Sequence, residues 1–392
     1  MQLIDYLITA LEKVIGVVLI LLSTFAATFT SHAVVTPPLA PAVIQEASAT
    51  TDSFPVASTT KKTASTPAAQ DKNAPLKPIP QKSSNSVLEP AADSAGQTLT
   101  QQVSSPTDID VNALARGSLV NILCITQASG YLHPISGSGV VVDSRGIILT
   151  NAHVGQYFLL KDYGVKNNVQ CVVRIGSPAQ TRYTAELLYL PPAWVSTNAP
   201  KILLNEPTGT GENDYAFLRI TGTTNPSGIL PPSFAALAMD ASSQDTGTRT
   251  LLASYPAGLI DGLTIETNLY QSSAFTLIGA LYSFDGGNQV DVFSIGGTII
   301  SQAGSSGGAV VDASSGKLLG IITTASASTT TAGRDLNAIS IGHINRSLVA
   351  AGEGGVVELL SGNLAAKASA FNSNVAPTLT AQLSAELKKT LP

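Results

Sequence analysis

From about residue 108 onward, the apolar residues of this chain come in short runs, each interrupted within a few positions by Gly, Pro, Asn or Asp. This texture restricts the fold more than any other feature. A helix needs an apolar stripe sustained at 3.6-residue spacing, whereas short apolar runs between turn residues suit strands. The first series of strand-like runs covers residues 118–126 (SLVNILCIT), two runs within 136–154 with a turn at 143–146, then 169–176, 183–190 and 214–220. A second series covers 248–255, LTIETNLYQ at 263–271, DVFSI at 291–295, GGAVVD at 307–312 and KLLGIIT at 317–323, and NAISIGHINRSL at 337–348 closes it. The expected class is all-β, with two sets of roughly six strands forming two small barrels or a pair of sheets.

The first hundred residues read differently. Residues 14–29 (VIGVVLILLSTFAATF) are continuously apolar after Lys13, which marks an export or membrane segment. The run is slightly short of the ~20 residues that cross a bilayer. Ser31-His32-Ala33 offers small residues suited to signal peptidase, while the start MQLIDYL lacks the usual positive charge, so cleaved signal and retained anchor both stay open for residues 1–33. Residues 34–107 are dominated by Pro, Ala, Ser, Thr and Gln. Such a segment buries too little apolar area to offset its chain entropy and reads as a disordered linker.

Charged residues make up 12% of the chain, and its Lys and Arg are scattered, so there is no basic stripe for a phosphate backbone and no nucleic-acid partner is expected. The two cysteines, Cys124 and Cys171, are too few for a disulfide scaffold and lack the clustering of a zinc site.

One stretch carries chemistry. Residues 303–310 read AGSSGGAV, and glycines around a serine allow an open turn in which amide hydrogens face a substrate carbonyl. A serine nucleophile needs a base within hydrogen-bond reach, a group that orients the base, and donors for the oxyanion. Alone, such a string is more often a plain turn between strands.

Three separated strings lift it above that. They are GSGVVVDSRGIILTNAHV around His153, DYAFLRI around Asp214, and AGSSGGAVVD around Ser306. Together they resemble the trypsin-like (chymotrypsin-fold) serine proteases, and among these the HtrA-type branch, in the order His, Asp, Ser. ARGSLVNI and GIITTA add to the resemblance, which spans residues 111–348. It implies a fold of two six-stranded antiparallel β-barrels over 108–348. It also implies a catalytic set of His153, Asp214 and Ser306, an oxyanion hole from the amides of Gly304 and Ser306, and no metal or cofactor. Ser305 competes with Ser306 for the nucleophile, and Asp162 and Glu212 compete with Asp214. The family pattern selects Ser306 and Asp214. Residues 320–325 resemble the strand that pairs with substrate backbone, which implicates Thr323, Thr324 and Ala325, with the Thr323 hydroxyl bracing the aspartate. Ile300 stands where trypsins carry an acidic specificity residue, so the expected preference is for small or medium aliphatic residues before the scissile bond.

Departures from the pattern matter as well. The aspartate that an activating N-terminus pairs with in trypsins is replaced by Ser305, so that ion pair cannot form. The 44 residues after Leu348 are too few for the PDZ domain usual in HtrA-type enzymes. Residues 349–392 read as a tail ending in LTAQLSAELKKTL, a short amphipathic helix that packs on the body or recruits a partner. The resemblance makes the strands of Cys124 and Cys171 neighbours, which leaves a disulfide and two free thiols both open. His343, in the last strand, and His133, in a loop, are read as structural. The leading expectation is an exported or membrane-tethered serine endopeptidase acting on polypeptides, outside the cytoplasm or periplasmic. A protease-like peptide-binding module is the alternative, and self-association into a homo-oligomer stays open.

Overall fold

A computed structural model describes residues 76–79, 106–127, 132–204, 210–258, 260–325 and 335–389. All lie in the unit that runs from Ala69 to Pro392. The apolar segment at 14–29 and His32 lie outside the described residues, as does most of the expected linker. Among the described residues, no helix is long and apolar enough to cross a membrane.

The strands are β1 (Lys77–Pro78), β2 (Leu119–Thr126), β3 (Ile135–Asp143), β4 (Ile147–Thr150), β5 (Val169–Ile175), β6 (Gln180–Tyr189) and β7 (Ala216–Thr223). Then come β8 (Arg249–Ser254), β9 (Ser272–Leu277), β10 (Leu281–Ser283), β11 (Val292–Ser294), β12 (Ala309–Asp312), β13 (Leu318–Ala325) and β14 (Leu336–Ser340). Strands β2-β3-β4-β7-β6-β5 close into a six-stranded barrel. Ile122, Val140, Ile147, Leu149, Val173, Phe217 and Leu218 on its strands are buried, each with essentially no exposed surface. Buried apolar area of this kind is the main force holding the barrel together.

The second half departs from a six-stranded barrel. It is an antiparallel sheet of eight strands in the order β1-β10-β11-β14-β13-β12-β8-β9. Two backbone bonds, Gly279 N to Ser294 O and Ser294 N to Ala280 O, tie the segment after β9 to β11 and curl the sheet towards closure. Three elements differ from the sequence reading. Residues 263–271 contain a helix, Gly262–Thr267, because Asp261 caps it by accepting from Thr264 N at 3.0 Å. β9, which follows it, was not expected. NAISIGHINRSL splits into β14 and the helix Ile341–Ala350, capped by Ser340, so His343 stands on a helix rather than a strand. Finally, Lys77–Pro78 pairs with Tyr282 and Ser283, and Ile79 packs on the second core, so residues 76–79 do not belong to a disordered linker.

The chain beyond Leu348 is likewise no loose tail. Helices Leu364–Asn374 and Ala376–Lys388 bury Leu364, Ala368, Phe371, Leu379, Leu383 and Leu387 in the same core as the barrel. Asn372 Nδ2 donates to Leu187 O at 2.7 Å, pinning the first helix to β6, and Thr380 Oγ1 donates to Leu159 O at 3.0 Å, pinning the second to the short helix Gln156–Leu160.

Cys124 and Cys171 face each other across β2 and β5 and form a disulfide. The bridge links residues 47 apart in sequence. Loop-closure entropy for a ring of that size corresponds to ~4 kcal/mol. The double variant Cys124→Ser/Cys171→Ser is therefore expected to unfold at lower denaturant concentration by about that free energy; an unchanged midpoint in urea would refute the estimate.

Candidate active site

The three residues singled out in the sequence come from different elements. His153 sits on the one-turn helix Ala152–Gly155 that follows β4, and Asp214 precedes β7. The approach to the histidine is fixed by Asn151, fully buried, whose Nδ2 donates to Asp214 O at 2.8 Å. The approach to the aspartate is fixed by Asn213, held in the left-handed region with φ 59°. Asn213 Oδ1 accepts from Ser347 Oγ at 2.6 Å, and Ser347 Oγ accepts from Tyr215 OH at 2.9 Å. Neither asparagine was singled out in the sequence. The TNAHV string held the first in plain sight.

His153 and Asp214 are joined twice. The His153 amide donates to Asp214 Oδ1 at 3.0 Å, and His153 Nδ1 lies 2.8 Å from Asp214 Oδ2. Thr323 Oγ1 donates to the same Oδ2 at 2.9 Å, the bracing role expected for it. With the carboxylate ionised, the proton sits on Nδ1 and the lone pair on Nε2, the tautomer a general base requires. Burial works against the imidazolium. The charge of Asp214 and its hydrogen bond more than offset this, and His153 titrates above the ordinary histidine range. Asp214 shows the mirror case. Burial pushes its carboxyl up, but the His153 charge and the hydrogen bonds from His153 and Thr323 bring it below the ordinary carboxylate range. The competing acids are elsewhere: Asp162 Oδ1 accepts from Asn167 N, and Glu212 is an exposed residue lining a separate cavity.

A base must be neutral to accept a proton, so with His153 as the base activity is expected to rise as pH climbs through its pKa. The acid limb of kcat/KM is accordingly expected above the ordinary histidine value of about 6.5. A limb below that value would contradict the pairing with Asp214.

The turn carrying Ser306 needs its glycines. Gly304 and Gly307 have φ of +87° and +81°, and a Cβ on Gly307 would stand 2.1 Å from Ser138 O. Ser305 is buried, donating from Oγ to Ile300 O at 2.5 Å and accepting from Ser254 Oγ at 3.0 Å. Ser306 is half-buried, and its hydroxyl makes no hydrogen bond among the described residues, to His153 or to any other group. Of the two serines, only Ser306 has a free hydroxyl. The amides of Gly304 and Ser306 also donate to nothing among the described residues. A peptide unit is planar, so a bond to one end orients the other. Ala303 O accepts from Ala257 N at 2.7 Å and Ser305 O accepts from Gly308 N at 2.9 Å, which fixes the planes carrying both amides.

β13 brings these parts together. Ile322 O accepts from Gly307 N at 2.8 Å and Ile322 N donates to Gly308 O at 2.9 Å, while the next residue, Thr323, binds Asp214. The ladder between β12 and β13 starts at Ala309 and Ile321, so Thr324 and Ala325 pair only with β14 among the described residues. Ile300 departs from its expected role: it has no exposed surface and is packed in the second core with Leu252, Phe293 and Val310, where no substrate group reaches it. Among the described residues, no group of three or more His, Cys, Asp or Glu could hold a metal.

Residues 137–321 match the family model of the trypsin-like peptidase domain. Over that span, just under half of its length, the chain is similar to a trypsin-like peptidase domain. His153, Asp214, Gly304 and Ser306 lie inside the matched span of this peptidase domain, and Thr323 to Ala325 lie just past its end. Among solved structures, the active form of the Rv3671c protease from M. tuberculosis is similar over 67% of this chain and 93% of that one, at 20% identity and a TM-score of 0.37. No curated protein matches the chain significantly.

Proposed function

We propose that this chain is a serine endopeptidase of HtrA type that cuts exported or envelope polypeptides. The observation that carries the proposal is the junction at β13, where Ile322 binds the glycine after Ser306 while Thr323 binds the aspartate that holds His153. In this reading Ser306 Oγ attacks the scissile carbonyl and His153 Nε2 takes its proton. The carbonyl oxygen becomes an oxyanion held by the amides of Gly304 and Ser306, and His153 then returns the proton to the leaving amine. Asp214 stabilises the imidazolium between these steps. Each oxyanion donor accounts for ~3 kcal/mol of transition-state stabilisation. The edge of β13 at 323–325, which pairs with no second strand among the described residues, takes substrate backbone by strand addition.

Two features support export: the apolar run at 14–29 and the Cys124–Cys171 disulfide, a bond that persists in oxidising compartments. The aliphatic preference is part of this proposal on the family resemblance alone, since Ile300 is buried in the second core and lines no substrate site. Purified full-length chain and its Ser306→Ala variant, incubated with a proteome-derived peptide mixture, test the proposal. Cuts after small or medium aliphatic residues that vanish in the variant support it. Fast cutting after Lys or Arg refutes the specificity, and no cutting refutes the function. A binding module that holds peptides along β13 without cleaving them is the second reading, favoured by the unformed hydrogen bond between Ser306 and His153. Peptides retained intact by both proteins would select it.

A further inference from the structure

With Ser305 in place of the aspartate that orders the turn in trypsins, something else must hold the peptide planes around Gly304. The Ser305 hydroxyl binds only Ile300 O and Ser254 Oγ among the described residues, and so does not reach the Gly304 carbonyl. The peptide between the two oxyanion planes, Gly304 to Ser305, has its carbonyl elsewhere. Gly304 O accepts from Ser138 Oγ at 2.8 Å.

Ser138 comes from β3 in the closed barrel, on the far side of the cleft from the turn it touches, and it is fully buried. Every polar group it has is engaged. Its Oγ accepts from Tyr255 N at 2.8 Å while donating to Gly304 O. Its amide donates to Ser306 O at 2.8 Å, and its carbonyl accepts from Thr150 Oγ1 at 2.7 Å, three residues before His153. Tyr255 lies two residues before Ala257, whose amide sets the plane of Ala303 and hence the direction of the Gly304 amide. One hydroxyl therefore clasps both walls of the oxyanion turn, and the backbone of the same residue clasps the nucleophile.

We infer that Ser138 is a positioning residue that keeps the oxyanion turn in its donating arrangement in the resting protein, taking over the part played in trypsins by the ion pair that this chain cannot form. This inference rests on the serine-protease reading. Losing the hydroxyl leaves the Tyr255 amide and the Gly304 carbonyl buried without partners, and a buried unpaired group is relieved by rotation of the peptide that carries it. The Gly304–Ser305 peptide joins the two planes that carry the donor amides, so its rotation strains both planes off the oxyanion, while His153, Asp214 and the β13 edge are held by bonds that do not involve the Ser138 hydroxyl.

The test compares full-length wild type with Ser138→Ala on a peptide substrate found by the digestion above. Removing an oxyanion donor outright costs about 10²–10³ in kcat, so displacing the turn is expected to lower kcat by about 10- to 100-fold. KM and the acid limb of the pH profile stay unchanged, and affinity for a peptide boronate that mimics the tetrahedral state falls with kcat. A merely structural role would move KM, melting temperature and kcat together. If Ser138→Ala does not fold, Ser138→Cys carries the test, since it keeps the shape of the side chain but donates only weakly. Unchanged kcat in the folded variant, or a loss lying wholly in KM, overturns the inference while leaving the protease reading intact. Absence of turnover in the wild type overturns both.

Discussion

Replacing Ser306 with alanine is expected to abolish peptide hydrolysis, lowering kcat by about 10⁶-fold, while the protein melts like the wild type. The two halves of that expectation have separate grounds. In the proposed mechanism the hydroxyl forms the covalent intermediate and the residues serving it act as a unit, so its removal leaves little beyond binding and the oxyanion donors. Stability is spared because the hydroxyl makes no hydrogen bond among the described residues and the turn is held by its backbone. Steady-state kinetics beside a thermal melt checks both halves. Residual activity above a thousandth of wild type would point to another nucleophile.

The second large effect is expected from Asp214→Asn. Three donors converge on the carboxylate: the His153 amide on Oδ1, and His153 Nδ1 and Thr323 Oγ1 on Oδ2. An amide side chain has one acceptor oxygen, so its NH₂ group must face at least one of these donors. With the amide oxygen on the Oδ1 side, the NH₂ faces Nδ1, forces Nδ1 to accept, and moves the ring proton to Nε2, where the base is needed. With the amide oxygen on the Oδ2 side, the NH₂ opposes the His153 amide and disturbs the short helix that carries the ring. A switch to the wrong tautomer costs about 10⁴ in kcat. Loss of the negative charge also removes what holds the imidazolium against burial, so the residual activity should show its acid limb at lower pH than wild type. A variant within tenfold of wild type, or an unmoved limb, would contradict the role given to Asp214.

Much of the fold was legible because strand formation here is local. The apolar runs at 118–126, 169–176 and 214–220 coincide closely with β2, β5 and β7. The sequence misled where alternation was not burial. LTIETNLYQ alternates like a strand, yet its helix buries none of its residues and Leu263 is 70% exposed; the deciding signal was the capping Asp261 just before it. The helix at Ile341–Ala350 was readable from Ile341, Ile344 and Leu348, which share one face. β1 could not have been read at all. Two residues in a Pro-rich stretch acquire a partner about 200 positions away, and no local pattern encodes that pairing.

At the site, the strings around His153, Asp214 and Ser306 held the residues to which the proposed mechanism gives the chemistry. What they did not carry was the support. Ser138 lies in the quoted GSG string, but its importance depends on reaching Gly304 O and Tyr255 N across the cleft, contacts separated by more than a hundred residues. Ile300 failed for a related reason. Its position along the chain matched a specificity residue, but an isoleucine there gains more by joining Phe293 and Val310 in the core than by facing solvent.

In the proposed mechanism His153 activates the hydroxyl of Ser306 once a substrate or reagent occupies the site. Covalent labelling with a fluorophosphonate, followed by peptide mapping, measures this directly, because the reagent reacts only with an activated serine. The wild type is expected to take up one label per chain, located on Ser306, and His153→Ala is expected to take up none. Folded wild-type protein that stays unlabelled, or that carries its label on another serine, would contradict it.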